Sequence, residues 1–202
     1  MGDPKKPKKK YSTPMHPWNA TNIEAERKIK AEYGLASKKE IYVAETFLKK
    51  YKNIAKRVIA RKTAQGEKEK VMVLTKLQNL GLLPVGSSLD QILGLDMKDV
   101  LERRLQSVLY RKGLARSMKQ ARQFITHRHV AIGNKEISVP SYLVGLKEES
   151  ELNFKPASTL ASEAHPERVS EQQQVKEELE AIKEHQKKLT RQREQRNQSN
   201  LM

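Results

Sequence analysis

Between Leu101 and Lys135 stand nine cationic side chains: Arg103, Arg104, Arg111, Lys112, Arg116, Lys119, Arg122, Arg128 and Lys135. They face a single anion, Glu102, so these 35 residues carry a net +8, half of the +16 of the whole 202-residue chain. Six of the nine are Arg, whose planar guanidinium takes phosphate oxygens in pairs and stacks on bases. The chemistry on offer is the holding of a polyanion. His127 and His129 flank Arg128 and can add contacts to it.

Other chemistries find little to work with. There is no cysteine, which removes disulfides, thiol nucleophiles and thiolate metal sites together. Five histidines are present, and His127 and His129 lack the i, i+4 spacing that sets two imidazoles on one metal, so no metal and no cofactor is expected. No Walker loop, Gly-x-Gly-x-x-Gly run or Gly-x-Ser-x-Gly elbow occurs, and no catalytic constellation is read. No run of about 18 apolar residues occurs to span a bilayer. The opening Met1-Gly2-Asp3-Pro4-Lys5-Lys6 lacks the Ser or Thr of a myristoylation signal, and no apolar signal core follows it. The expectation is a cytosolic protein whose polyanionic partner is nucleic acid rather than a membrane, with no small-molecule substrate.

The elements that must position the cations can be read from spacing. Asp96 is suited to cap a helix that turns Val100, Leu101, Leu105, Val108 and Leu109 inward and stops at Gly113. Ser117-Met118-Lys119-Gln120 fits a capping box for a shorter helix with Met118, Ala121, Phe124 and Ile125 on one face. Lys119, Arg122 and Gln123 are then expected on the opposite face. The period next drops to two. His129 to Ile132 and Lys135 to Val139 flank Gly133-Asn134, a hairpin signal, and Leu152 with Phe154 offers a third strand.

Upstream, Ile41, Ala44, Leu48, Tyr51, Ala55 and Val58 alternate steps of three and four, one apolar stripe on a long helix after Ser37. Lys49, Lys50, Lys52, Lys56, Arg57, Arg61 and Lys62 occupy its other faces, more one-sided than solubility needs. Thr21 to Glu24 and Ser37 to Glu40 both fit capping boxes, and Gly34 and Gly66 fall where helix ends favour positive φ. A helix through Val71, Leu74 and Leu77 ends near Gly81, and a short turn runs from Ser88 to Gly94. The fold class expected is α+β: a basic extended arm (1–19), a mostly helical domain (20–96), a small helix-helix-hairpin RNA-binding domain (97–158) and a charged tail, helical or disordered (159–202). Tyr11 and Trp18 in the arm are read as aromatic contacts for a partner. RNA is preferred to duplex DNA because no paired, dimer-like recognition helix is evident.

The stretch from Leu101 to Val144 closely resembles the RNA-binding module named after small-subunit ribosomal protein S-four, with its alpha-L motif. The matching pieces are the Leu101-x-x-x-Leu105 helix with Arg104, the Arg111-Lys112-Gly113 turn, Ser117 through Gln123, His127-x-His129-Val130 and Pro140-Ser141-Tyr142. Tyr11 to Pro14, Pro17-Trp18, Glu32 to Leu35 and Lys38 to Ile41 resemble the start of the archaeal and eukaryotic branch of that ribosomal family. The resemblance covers residues 10 to 155. It implies a primary binder of small-subunit rRNA that nucleates assembly of the subunit body, touches small-subunit protein S-five and influences decoding accuracy. Some relatives hold zinc through N-terminal cysteines, which this chain lacks. The RNA contacts it implies are Arg103, Arg104, Arg111, Lys112, Ser117, Lys119, Gln120, Arg122, Gln123, His127, Arg128 and Lys135. Two alternatives use the same module: a pseudouridine-synthase-type enzyme tethered by it, and a free RNA chaperone or regulator.

Overall fold

A computed structural model describes residues 9–60, 63–162 and 165–167. The first eight residues of the basic arm, Arg61, Lys62 and the charged tail from residue 168 onward lie outside the described residues. Among the described residues eight α-helices and three short strands follow one another as α1 (Ala20–Glu32), α2 (Lys38–Ala60), α3 (Ala64–Asn79), α4 (Leu89–Gly94), α5 (Met97–Glu102), α6 (Leu105–Arg111), α7 (Met118–Thr126), β1 (Val130–Ile132), β2 (Lys135–Glu136), α8 (Leu146–Ser150) and β3 (Leu152–Phe154). The α+β class is as expected from the sequence.

The buried residues of α2 are the six of its expected stripe, Ile41, Ala44, Leu48, Tyr51, Ala55 and Val58. With Val73 and Leu77 of α3, Ile92 of α4 and Val100 and Leu101 of α5 they form one apolar cluster. A second cluster starts at Leu105 and joins Val108 and Leu109 of α6, Ala121, Phe124 and Ile125 of α7, and Val130, Ile132, Leu152 and Phe154 of the sheet. The hairpin turns through Gly133-Asn134 with Ile132 opposite Lys135, and β3 pairs with the other edge of β1, giving the antiparallel order β2-β1-β3. Gly133 takes φ +55, the positive φ that a two-residue turn of this kind asks of its first position. β1, the middle strand, is buried at all three residues, with Val130 and Ile132 turned into the second apolar cluster.

Several sequence expectations are corrected. The helix expected from Asp96 to Gly113 is two helices, broken at Arg103 and Arg104. Asp96 does cap α5, with Asp99 as the reciprocal partner. The break arises because the chain after the hairpin crosses here. Leu105 N–H donates to the Tyr142 carbonyl (2.7 Å), Gln106 N–H to Pro140 (3.4 Å) and Val144 N–H to Arg103 (2.9 Å), so tertiary carbonyls satisfy the free donors of α6. α1 is capped by Asn19 rather than by Thr21. Gly66 lies inside α3, buried, where its N–H donates to the Thr63 cap, whereas Gly34 does take positive φ. Strand β2 ends at Glu136, short of Val139, and Ile137 adds one more bond, to the Val130 carbonyl. Tyr11 of the arm stacks on Tyr42 of α2 at 6.3 Å, and Ser12 N–H donates to Thr46 Oγ1 (3.0 Å).

Candidate nucleic-acid interface

α7 is the centre of the site. Ser117 begins it by accepting from Gln120 N–H (3.2 Å), but Gln120 reaches back to Arg116 N–H (2.7 Å) rather than to Ser117, so the capping box is displaced by one residue. Ala121, Phe124 and Ile125 are buried against the sheet, while Met118 is half-buried against the first apolar cluster. On the far side Lys119, Gln123 and His127 follow one another at steps of four and are all exposed. The helix closes with Arg128 N–H donating to Ile125 and His129 N–H to Phe124, both at 3.0 Å. This is a Schellman-type ending, and Arg128 holds its left-handed position with φ +60. It is the non-glycine residue with positive φ among the described residues. Arg128 is exposed, as is Lys135 across the hairpin. Among the described residues Lys119, Arg128 and Lys135 form no ion pair. They and Gln123 make an open cationic stripe along α7 and into the turn that follows it.

The other cations expected to contact RNA are engaged within the protein. Arg103 and Arg104 are buried, at 8% and 4% exposure. Arg103 pairs with Glu149 of α8 (2.7 Å) and donates to the Val144 carbonyl (2.9 Å). Arg104 donates to Glu40 of α2. Arg122, expected opposite the core, turns to the same Glu40 (3.1 Å) and to Gln106 Oε1 (3.4 Å). Its position on α7 lies between the buried face and the open stripe, so its long side chain can reach sideways to α2. Arg111 is half-exposed between Glu102 (3.6 Å) and Glu149 (3.3 Å), and Lys112 is exposed with a long bond to the Leu152 carbonyl (3.4 Å). Arg116 donates to the Pro166 carbonyl, and Gln120 to Glu167 (2.8 Å). His129 is half-buried, with Nδ1 2.9 Å from Ser158 Oγ and its ring edge-on to Phe124.

Glu40 and Gln106 went unseen in the sequence. Burial pushes the Glu40 carboxyl up, but hydrogen bonds and charge from Arg104 and Arg122 outweigh this and hold it below the usual carboxylate range. Glu149 is held low in the same way by Arg103 and Arg111 against its burial. Gln106 is 1% exposed, and its amide donates to the carbonyls of Tyr33 (3.2 Å), Gly34 (3.2 Å) and Met118 (2.8 Å). The one available signal was a glutamine placed between Leu105 and Ser107 in a helix buried nearly all round.

Comparisons with known proteins agree with the geometry. The family model described as the S4 domain matches residues 103–150, the span that holds α6, α7, the hairpin and α8. The small ribosomal subunit protein uS4 of Methanococcus aeolicus is 48% identical over 169 residues, 83% of this chain and 96% of that protein. The protein of the same name from Methanococcus maripaludis is 46% identical over 178 residues, 86% of this chain and 100% of its own length. With that identity sustained over nearly the whole of each relative, the chain belongs to the family of small ribosomal subunit protein uS4.

Proposed function

We propose that the chain is a structural constituent of the small ribosomal subunit that binds its rRNA directly, with the open stripe of α7 and the following turn as the central contact. The observation that carries this is the separation of the helix into two faces: Ala121, Phe124 and Ile125 inside, Lys119, Gln123 and His127 outside, with Arg128 and Lys135 continuing the outer face. A folded RNA is met through shape and phosphate by such a surface. Ser117, Gln120, Arg111 and Lys112 border it. Arg103, Arg104 and Arg122 serve it from behind, as internal ion pairs. Binding early enough to nucleate the subunit body, and an influence on decoding accuracy, follow from the family resemblance. So does a contact with S-five, for which the mainly apolar cleft of about 230 Å³ lined by Val43, Phe47, Val100 and Leu143 offers a surface. The protein is read as a non-enzyme working in the cytoplasm on the ribosome.

The test has two parts. Purified full-length protein should bind a small-subunit rRNA transcript with an affinity that falls steeply with salt, and in lysate it should sediment with small subunits. A protein found only in light fractions would favour the free regulator, and pseudouridine formed in the transcript would favour the enzyme.

A further inference from the structure

We propose that Glu40 is a positioning residue for RNA recognition: by taking Arg104 and Arg122 on one carboxylate, it fixes the angle at which the α2 cations and the α7 stripe meet a single RNA. This rests on the functional reading above and adds to it an acidic residue, outside the matched S4 domain, on which binding to a polyanion depends.

The observations are these. The two apolar clusters part between Leu101 and Leu105, where the helix is broken, so no continuous helix sets the angle between the units. Across that break Met118 and Leu143 pack against the first apolar cluster, and beside this packing the fastening is polar. Glu40 of α2 bonds Arg104 through Oε2, and Arg122 donates to both its oxygens, at 3.1 and 3.3 Å. Arg122 also donates to Gln106, which ties the carbonyls of Tyr33 and Gly34 on one side to that of Met118 on the other. Gly34 sits so close that a Cβ there would lie 2.9 Å from the Met118 Cβ. Each unit carries its own exposed cations, Lys50 and Lys56 on α2 and Lys119 and Arg128 on the module, none of them in an ion pair among the described residues. One RNA can gain from both sets only if their separation is set beforehand. Free hinging at residues 103–104 would make each bound complex order the joint again and lose the second set's gain. Glu40 holds two guanidiniums at once, from α7 and from the start of α6, and so spans the joint.

The sign of the effect separates this from plain electrostatics. Removing an acid from an RNA-binding protein ought to strengthen binding; removing Glu40 is expected to weaken it. Full-length protein carrying Glu40→Gln should bind the small-subunit rRNA transcript at least about 10-fold more weakly, with the slope of log affinity against log salt smaller by about 1.5, the worth of two phosphate contacts at roughly 0.7–0.9 each. Residual dipolar couplings from the two units, which fit one orientation in the wild type, should need two in the variant. Glu45→Gln, on the same helix and paired only with Lys49 among the described residues, is the charge control and should bind as well as the wild type or better. Glu40→Asp keeps the charge but shortens the reach, and should fall between the wild type and Gln; if Glu40→Gln does not fold, this variant decides. A variant that melts earlier yet keeps the wild-type salt slope and a single orientation would overturn the proposal, leaving Glu40 a stabilising ion pair only. Tighter binding would overturn it too. Failure of the wild type to bind the transcript would instead overturn the functional reading beneath it.

Discussion

Two sets of cations within 33 residues, alike in charge, have opposite fates in the fold. Arg103, Arg104 and Arg122 point inward to Glu149 and Glu40, while Lys119, Arg128 and Lys135 remain exposed without an ion pair among the described residues. A net charge of +8 in a segment thus overstates what that segment offers an RNA. Buried cations of this kind act on the partner through geometry, and exposed ones through counterion release. Even the inward set is not fully satisfied, since the Nε atoms of Arg103 and Arg104 are buried without a partner.

The comparison breaks most visibly if the two sets are exchanged under mutation. Arg104→Ala removes a guanidinium whose side chain is 5% exposed and leaves Glu40 half-paired at the joint, which is expected to destabilise the fold by about 3 kcal/mol or more. Denaturant unfolding measures it. Arg122→Glu should go the same way, because it sets a second carboxylate against Glu40. Replacing Lys119 and Arg128 together with Glu touches no internal pair, so stability should change by no more than about 0.5 kcal/mol each. The salt slope for rRNA binding should then fall by about 1.5, the scale of two phosphate contacts. Were the double variant to unfold while Arg104→Ala stayed intact, the assignment of inner and outer cations would be reversed.

Acid sharpens the same contrast. Glu40 and Glu149 have folded pKa values lowered from the ordinary 4.5, so their contribution to stability is fully present above that value and is lost as pH falls through the lowered folded values. The inner pairs should therefore survive mild acid that protonates ordinary exposed glutamates, and loosen only below it. Stability followed from pH 6 downward should stay level to about the ordinary glutamate range and then drop. In Glu40→Gln the drop should be shallower.

How much of this was legible from sequence depends on the range of the interaction. The α2 stripe, the Asp96 cap and the Gly133-Asn134 hairpin are set by neighbours within a few residues, and the structure has them as expected. The break at residues 103–104 is not written locally, since the apolar period runs straight through from Val100 to Leu109; carbonyls at 140 and 142 create it. Glu40 was hidden for a related reason. Its spacing from Ser37 satisfied a capping pattern, while its guanidinium partners lie 64 and 82 residues downstream. For the site, Lys119 and Gln123 fall on an open face as helix geometry implied, and Arg122 does not, because one residue at the border of a face can be claimed by either side; the exposure of Arg128 and Lys135 beside them came only with the structure.

The smallest expected effect is at Arg128, and it bears most directly on why an outer cation stands where it does. With φ +60 at the end of α7, the position is one that glycine occupies without steric strain and a residue bearing a Cβ does not. Holding Arg there costs on the order of 1 kcal/mol relative to glycine, a strain the backbone hydrogen bonds to Phe124 and Ile125 must maintain. Within the described residues the side chain is exposed and forms no ion pair, its charge reaching Glu136 only without direct contact. Arg128→Gly should accordingly raise stability by roughly 1 kcal/mol while reducing the salt slope for rRNA by about 0.7–0.9, one phosphate contact. Arg128→Ala keeps the strain and loses the charge, so it should bind like the Gly variant but be no more stable than the wild type. Thermal unfolding and salt-dependent binding on both variants separate backbone from charge. If Arg128→Gly were more stable and bound rRNA with an unchanged slope, the outer stripe would have to end at His127.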